Sequence, residues 1–133
     1  MNIKSEQEML EFGEKFAKKL KFPAIIELIG DVGAGKTTFT RGLAKGLGIK
    51  EPITSPSFTV SKAYALKSGG NLIHYDFYRL PDPGLMADDL RENLENKNNV
   101  VVIEWGESVT ELLPENHYRI EIRYTKDGRE VIS

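Results

Sequence analysis

Cysteine is absent from this chain of 133 residues, and so is any excess of positive charge. Without cysteine there can be no disulfide framework, no thiol nucleophile and no thiolate ligand for a metal ion. Lysine and arginine number 18 against 20 aspartates and glutamates, which gives a formal net charge of −2. A protein that holds nucleic acid by itself usually has a basic excess or a basic stripe. We therefore expect no binding to DNA, and contact with RNA only through another protein.

Long apolar runs are also missing. Runs such as Val100–Ile103 are far too short to cross a bilayer. Residues 1–21 alternate acids with lysines, which is unlike a signal peptide. The length, a hydrophobic fraction of 40% and a charged fraction of 29% are typical of one soluble domain. These features predict a cytoplasmic protein that does not contact membranes, with residues 1–133 forming a single domain.

The first third of the chain alternates between helix and strand patterns. Apolar residues recur at helical spacing after Ser5, which forms a capping-box pattern with Glu8, and this predicts a helix over residues 6–20. Ala24–Ile29 is an almost continuous apolar run, typical of a strand buried on both faces. A second helix is predicted over residues 36–47, with Gly48 just beyond its end.

The rest of the chain is rich in strand patterns. Alternating or continuous apolar residues, separated by turn sequences such as Ser68–Asn71 and Asp127–Gly128, predict two hairpins and one buried strand. The predicted strands cover residues 57–66, 71–78, 100–105, 118–124 and 129–132, with a short helix over 85–94. The pattern favours an α/β fold, in which a mixed sheet carries helices on its faces.

Residues 30–37, reading GDVGAGKT, match the P-loop pattern G-x-x-x-x-G-K-[ST] between the predicted strand and helix. The glycines let the backbone turn its N–H groups toward a phosphate, and the following helix adds its positive N-terminal end. Lys36 would reach the β- and γ-phosphates, and the hydroxyl of Thr37 would bind Mg²⁺. The alternative is a glycine-rich turn that joins a strand to a helix.

Two carboxylates are candidates for the chemistry beside this loop. Glu104 ends the apolar strand VVVIE, where a P-loop enzyme carries the acid that holds its metal. Asp76 stands among aromatic residues in a predicted strand, where aspartate is disfavoured, so it is the second candidate. Each has a simpler interpretation, as a solvated glutamate or a hydrogen-bonded aspartate at the end of a strand. Neither His74 nor His117 has a partner at metal-ligand spacing, and we assign neither a metal.

The segment Thr54–Thr59 is polar and contains a proline, and it follows the P-loop helix. GTPases place a switch loop at that point, although such clusters are mostly plain loops. A GTPase would also carry an N-K-x-D element after a strand. Residues 96–99 read NKNN, lack the aspartate and precede a strand. The sequence therefore favours ATP over GTP.

Taken together, the motifs GDVGAGKTTFTRGLAKGLGI, TSPSFTV, HYDFYRL, DP and IEW resemble the TsaE (YjeE) family in order and spacing, from about Ser5 to Arg129. That family contains the bacterial ATPases that act in making threonylcarbamoyladenosine in tRNA. The resemblance implies a P-loop NTPase-like fold with a central, mostly parallel sheet flanked by antiparallel strands. It also implies binding of ATP with Mg²⁺ and docking on two partners, TsaD and TsaB, which hold the tRNA. TsaD is the transferase, and the TsaE-type protein supports it.

The resemblance also assigns roles to individual residues. Thr37 and Glu104 would hold Mg²⁺, Asp76 would serve hydrolysis together with Lys36, and Ser55 and Thr59 would belong to the switch loop. The residues expected to bind the nucleotide are Asp31, Val32, Gly33, Ala34, Gly35, Lys36, Thr37 and Thr38, with Glu6 and Arg129 approaching it from either end of the chain.

Two other functions stay open at this point. A small-molecule kinase also uses a P-loop and Mg²⁺, but usually needs an arginine-rich lid. The segment 80–99 has one arginine, Arg91, and five acids. A non-catalytic module that reports bound ATP to a partner would use the same residues as a slow ATPase. An arginine finger for hydrolysis could come from Arg41, from Arg79 or from a partner.

Overall fold

The computed structural model describes residues 1–31, 33–56, 59–78 and 84–133. Predictions that fall on Val32, on Ser57 or on Arg79 lie outside these residues. The described part forms three α-helices, one 3₁₀ helix and seven strands. In chain order these are β1 (Asn2–Ile3), α1 (Glu6–Lys18), β2 (Ala24–Ile29), α2 (Lys36–Gly46), β3 (Ser61–Ala65), β4 (Asn71–Asp76), α3 (Leu85–Glu95), β5 (Val100–Glu104), the 3₁₀ helix (Gly106–Leu112), β6 (Tyr118–Thr125) and β7 (Gly128–Ile132).

The described strands form one sheet in the order β1-β7-β6-β2-β5-β4-β3. Strand β2 pairs in parallel with both β5 and β6, and β5 pairs in parallel with β4. The outer strands β3, β7 and β1 pair antiparallel with their neighbours. The predicted central parallel sheet with flanking antiparallel strands is therefore confirmed. This central position explains the apolar runs in β2 and β5, because each strand is covered on both faces.

Helices lie on both faces of the sheet, as predicted. Leu28 and Val102 pack in one core cluster with Phe39 of α2 and with residues of α1. Ile25 and Val101 point the other way and pack with Leu90 of α3 and with the 3₁₀ helix. Among the described residues, no helix is long and apolar enough to cross a membrane.

Helices α1 and α2 approach each other closely through glycines. A Cβ on Gly13 would lie 2.4 Å from the carbonyl oxygen of Phe39, and one on Gly42 would lie 2.2 Å from that of Leu10. Both distances are far below a normal contact, so the backbones touch where a side chain would separate them. This contact holds the start of α1, with Glu6, beside the start of α2.

The structure differs from the sequence prediction at several element ends. The Ser5 hydroxyl caps α1 by accepting from the N–H of Glu8 (3.1 Å), but the Glu8 carboxylate accepts from Lys4 (2.9 Å), not from Ser5. Strand β3 begins at Ser61 instead of residue 57, because Val60 has a φ of 69° and a turn precedes it. The two-residue strand β1 and the 3₁₀ helix were not predicted.

Candidate nucleotide-binding site

Two glycines of the loop from β2 to α2 adopt a left-handed backbone. Gly33 and Gly35 have φ values of 80° and 111°, in the region that residues with a Cβ rarely adopt. Gly35 is the N-cap of α2 and has no side chain to occupy the first N–H groups of the helix. These groups have no partner within the helix, so the loop and the helix end together suit an anion.

Lys36 is the first residue of α2, and its side chain runs back across the loop. Its Nζ donates to the carbonyl oxygen of Gly30 at 2.5 Å and lies 3.7 Å from Oε1 of Glu104. The same nitrogen lies 4.2 Å from the centroid of the Trp105 ring. The residue is only 5% exposed. A buried ammonium needs such partners, because an unpaired charge away from water is costly.

The two candidate acids lie side by side, where β4 and β5 end. Asp76 and Glu104 are partners in the parallel register of these strands, and they are 6% and 4% exposed. One oxygen of Asp76 accepts from the N–H of Tyr78 at 2.9 Å, while its own N–H donates to Val60 at 2.8 Å. The carboxyl ends of parallel strands are where α/β proteins build their sites, and the register explains why these two residues meet.

His74 is a residue of this site that the sequence analysis left without a role. It is 0% exposed, and its Nε2 lies 2.5 Å from Oε2 of Glu104. Sequence spacing gave no metal-ligand partner, because the partner lies 30 residues away on the neighbouring strand. The sequence did hold one signal: side chains alternate between the two faces of a strand, so His74 and Asp76, two residues apart, lie on the same face.

Glu6 and Arg129, which we expect to approach the nucleotide from the two ends of the chain, line one cavity of about 380 Å³ beside the loop. Glu6, Gly33, Thr38 and Arg129 all line it. The Nε of Arg129 donates to the carbonyl oxygen of Ala34 at 3.1 Å. The guanidinium of Arg129 also lies 4.1 Å from the centroid of the Tyr124 ring. The structure thus brings Glu6 and Arg129 to the P-loop, although they lie far apart in the sequence.

Asp31 lines a second cavity, of about 400 Å³, on the side of the loop nearer Trp105. The Asp31 carbonyl oxygen also accepts from the N–H of Ala34 at 3.0 Å, which tightens the loop. Glu27 also lines this cavity, and its Oε1 lies 3.0 Å from Nε2 of His117. This hydrogen bond to Glu27 of β2 accounts for the second histidine without a metal.

The predicted switch segment is tied to the strand that carries Asp76. The N–H groups of Thr59 and Val60 donate to the carbonyl oxygen of Pro56, and the Thr59 hydroxyl donates to that of Ser61 at 3.1 Å. Val60 is β-branched with a positive φ, and its carbonyl oxygen accepts from Asp76. Such a strained backbone costs about 1–3 kcal/mol and is common where a segment must change shape. Ser55 lies just before this turn.

The donor set fits Mg²⁺ bound together with phosphates. The described residues include no group of three or more histidines, aspartates or glutamates that could hold a metal alone. Mg²⁺ instead keeps several waters and takes one or two carboxylates plus substrate phosphates. Thr37, half-buried in the first turn of α2, would supply a hydroxyl. Glu104, whose Oε1 lies 3.7 Å from the Nζ of Lys36, would supply a carboxylate.

Comparison with known proteins agrees with the fold and the motifs. Residues 3–131 match the model of the family described as "Threonylcarbamoyl adenosine biosynthesis protein TsaE". The tRNA threonylcarbamoyladenosine biosynthesis protein TsaE of Streptomyces coelicolor is 40% identical over 86% of this chain and 78% of its own length. The protein of the same name from Haemophilus influenzae is 36% identical, over 97% of this chain and 84% of its own. The crystal structure of YdiB from Bacillus subtilis superimposes with a TM-score of 0.79 at 33% identity, covering 98% of this chain and 80% of that one.

Proposed function

Because the chain belongs to the TsaE family of threonylcarbamoyl adenosine biosynthesis proteins, we propose that it binds and hydrolyses ATP as a subunit of the machinery that modifies tRNA. The observation that carries the proposal is the convergence of Lys36, Asp76 and Glu104 at the mouth of the P-loop. P-loop NTPases place the loop lysine on the β- and γ-phosphates and hold Mg²⁺ with an acid on a neighbouring strand, which is the arrangement of Lys36 and Glu104.

In this mechanism, water attacks the γ-phosphorus in line and the bond to the β-phosphate oxygen breaks, giving ADP and phosphate. The loop N–H groups and the Nζ of Lys36 would stabilise the negative charge that develops on the phosphate oxygens. Asp76 would orient the attacking water or a water bound to the metal. Mg²⁺, held by Thr37 and Glu104, would neutralise charge on the β- and γ-phosphates.

We further propose that the protein acts through TsaD and TsaB and meets tRNA only in their complex, in agreement with its net charge of −2. Turnover by the isolated chain should be slow, because Arg41 is already engaged. Its Nε donates to the carbonyl oxygen of Ile53 at 3.3 Å, and its guanidinium lies 3.9 Å from Glu6. Arg79 lies outside the described residues. We propose that a partner supplies the arginine, with Arg79 as the alternative within this chain; an arginine finger is worth about 10³–10⁵ in rate where it occurs.

The test is ATP turnover with and without purified TsaD and TsaB from the same organism. We expect the chain alone to fall below the ~1–100 s⁻¹ of a typical kinase, and the pair to raise its rate. Lys36→Ala is the blank, Lys97→Ala is the control for losing an exposed lysine, and GTP tests nucleotide choice. Unchanged turnover together with no association would refute the partner-coupled ATPase.

Asp76→Asn separates hydrolysis from the sensing of ATP. The variant should bind ATP but hydrolyse it far more slowly. If it still supports full tRNA modification by the partners, the protein is a sensing module. The kinase alternative has less support, because Arg91 of α3 is held by Asp88 on the same helix (2.9 Å) instead of covering phosphates.

A further inference from the structure

The environment of His74 is unusual for a histidine buried in a core. Its ring lies on β4, with Nε2 bonded to Glu104. Within the described residues, the buried Nδ1 has no hydrogen-bond partner. A buried polar atom without a partner costs about 1–3 kcal/mol, which an apolar side chain would avoid, so packing alone does not explain an imidazole here.

The two oxygens of Glu104 have different neighbours. Oε2 accepts from His74, while Oε1 faces the Nζ of Lys36 at 3.7 Å. The strand register pairs His74 with Val102, so the imidazole reaches two residue pairs further along the sheet to touch Glu104. A glutamate side chain has three rotatable bonds, and anchoring one oxygen fixes where the other one points.

We propose that His74 is a positioning residue, which holds Glu104 so that its second oxygen is presented to the lysine and to the metal. The inference rests on the proposed function, because it concerns the carboxylate expected to hold Mg²⁺. Outer contacts of this kind orient the metal ligands, and their loss typically weakens metal binding about 10–100-fold.

The test compares two amides of different length at the same position. Gln places its amide nitrogen near the site of the histidine Nε2, whereas Asn is one methylene shorter and cannot reach Glu104. We would titrate a non-hydrolysable ATP analogue into each variant by calorimetry, once in EDTA and once at rising Mg²⁺. Leu72→Val is the matched control, since Leu72 is buried on the same face of β4, two residues earlier.

We expect every variant to bind the analogue like the parent chain in EDTA. His74→Asn should need about 10–100-fold more Mg²⁺ for the same gain in affinity, while His74→Gln stays within about threefold of the parent. A merely structural histidine would weaken binding in EDTA as well, or Gln and Asn would behave alike, and either result overturns the proposal.

Glu104→Gln distinguishes failure of this inference from failure of the proposed function. If Glu104→Gln loses the response to Mg²⁺ and His74→Asn keeps it, the positioning role is wrong and the metal site stands. If the parent chain shows no response to Mg²⁺, the proposed function fails, and the role of His74 fails with it. Circular dichroism of each variant confirms that the comparison is between folded proteins.

Discussion

At the scale of single residues, the hydroxyl of Tyr75 links the sheet to α3. It donates to Oδ2 of Asp89 at 2.6 Å and accepts from Nδ2 of Asn93 at 2.7 Å. Burial first, and then the bond to Asp89, raise the pKa of this hydroxyl well above its ordinary value near 10. Tyr75 therefore keeps its proton in the folded chain at a pH where it would lose it in the unfolded chain.

This difference predicts a loss of stability in alkali. Above about pH 10 the unfolded state binds fewer protons than the folded state, so the free energy of unfolding falls as pH rises. Tyr75→Phe should be about 1–3 kcal/mol less stable at pH 7, because Asp89 and Asn93 lose a partner. Its further loss between pH 9 and about 11 should be smaller than that of the parent chain.

Urea unfolding of both proteins at pH 7, at pH 9 and at about pH 11 provides the measurement. Tyr118→Phe, at a half-buried position on another strand, is the matched control for removing one hydroxyl. If the free energy of unfolding of Tyr75→Phe falls as steeply in alkali as that of the parent chain, Tyr75 is not the group responsible. Binding of ATP should be unaffected, since Tyr75 lies on the sheet face opposite His74 and Asp76.

Some contacts of the site could be predicted from the sequence, and others could not. Lys36 was predictable because the P-loop pattern has a fixed spacing, and Glu104 was predictable because it ends an apolar strand. The bond from His74 to Glu104 was not, because it depends on the register of two strands 30 residues apart. The approach of Arg129 to Ala34 likewise required the path of the whole sheet.

At the scale of elements, the close contact of α1 with α2 should reverse the usual effect of a glycine-to-alanine substitution on stability. Replacing a helical glycine by alanine usually stabilises a helix by about 1 kcal/mol. At Gly42, however, the added Cβ would lie 2.2 Å from the Leu10 carbonyl oxygen, so the helices must separate. We expect Gly42→Ala to lower the free energy of unfolding by about 1–3 kcal/mol.

Denaturant unfolding of Gly42→Ala tests this prediction. Lys45→Ala is the control on the same helix. Its side chain is 74% exposed and pairs with Glu14 of α1 at 3.5 Å, and an exposed ion pair contributes at most about 1 kcal/mol. A stabilised Gly42→Ala protein would mean that the two helices are not held at this distance.

Elements with a long periodic pattern were predictable, and short ones were not. α1, α2 and the central strands carry enough apolar residues at one period to identify them. β1 has two residues, and the 3₁₀ helix over Gly106–Leu112 has no helical α-period, so neither leaves a signal. The start of β3 was misplaced because β-branched Val60, which favours strands, adopts a positive φ instead.

At the scale of the whole molecule, bound nucleotide should stabilise the fold by mass action. A ligand that binds only the folded state at 100 times its Kd adds about 2.7 kcal/mol. For a chain of this size that corresponds to a rise in Tm of about 10 °C. We expect ATP with Mg²⁺ to produce this rise in the parent chain and in Lys97→Ala.

Lys36→Ala should lose most of that rise, because its Nζ is the positive charge nearest the loop carbonyl and Glu104. Scanning calorimetry with and without nucleotide gives both the baseline Tm and the shift. A full shift in Lys36→Ala would place the binding site elsewhere than the loop.

The pairing of β1 with β7 brings residue 1 and residue 131 together. The Met1 amino group donates to the Val131 carbonyl oxygen at 3.2 Å, and the Val131 N–H donates to the Met1 carbonyl oxygen at 2.8 Å. A short linker could therefore join the ends, and new ends could be opened at the exposed turn around Gly69, giving a circular permutant with the same sheet. By the same geometry, a tag fused at either end emerges from this shared edge, close to the cavity lined by Glu6 and Arg129. Labels meant to leave the proposed nucleotide site undisturbed belong at the Gly69 turn.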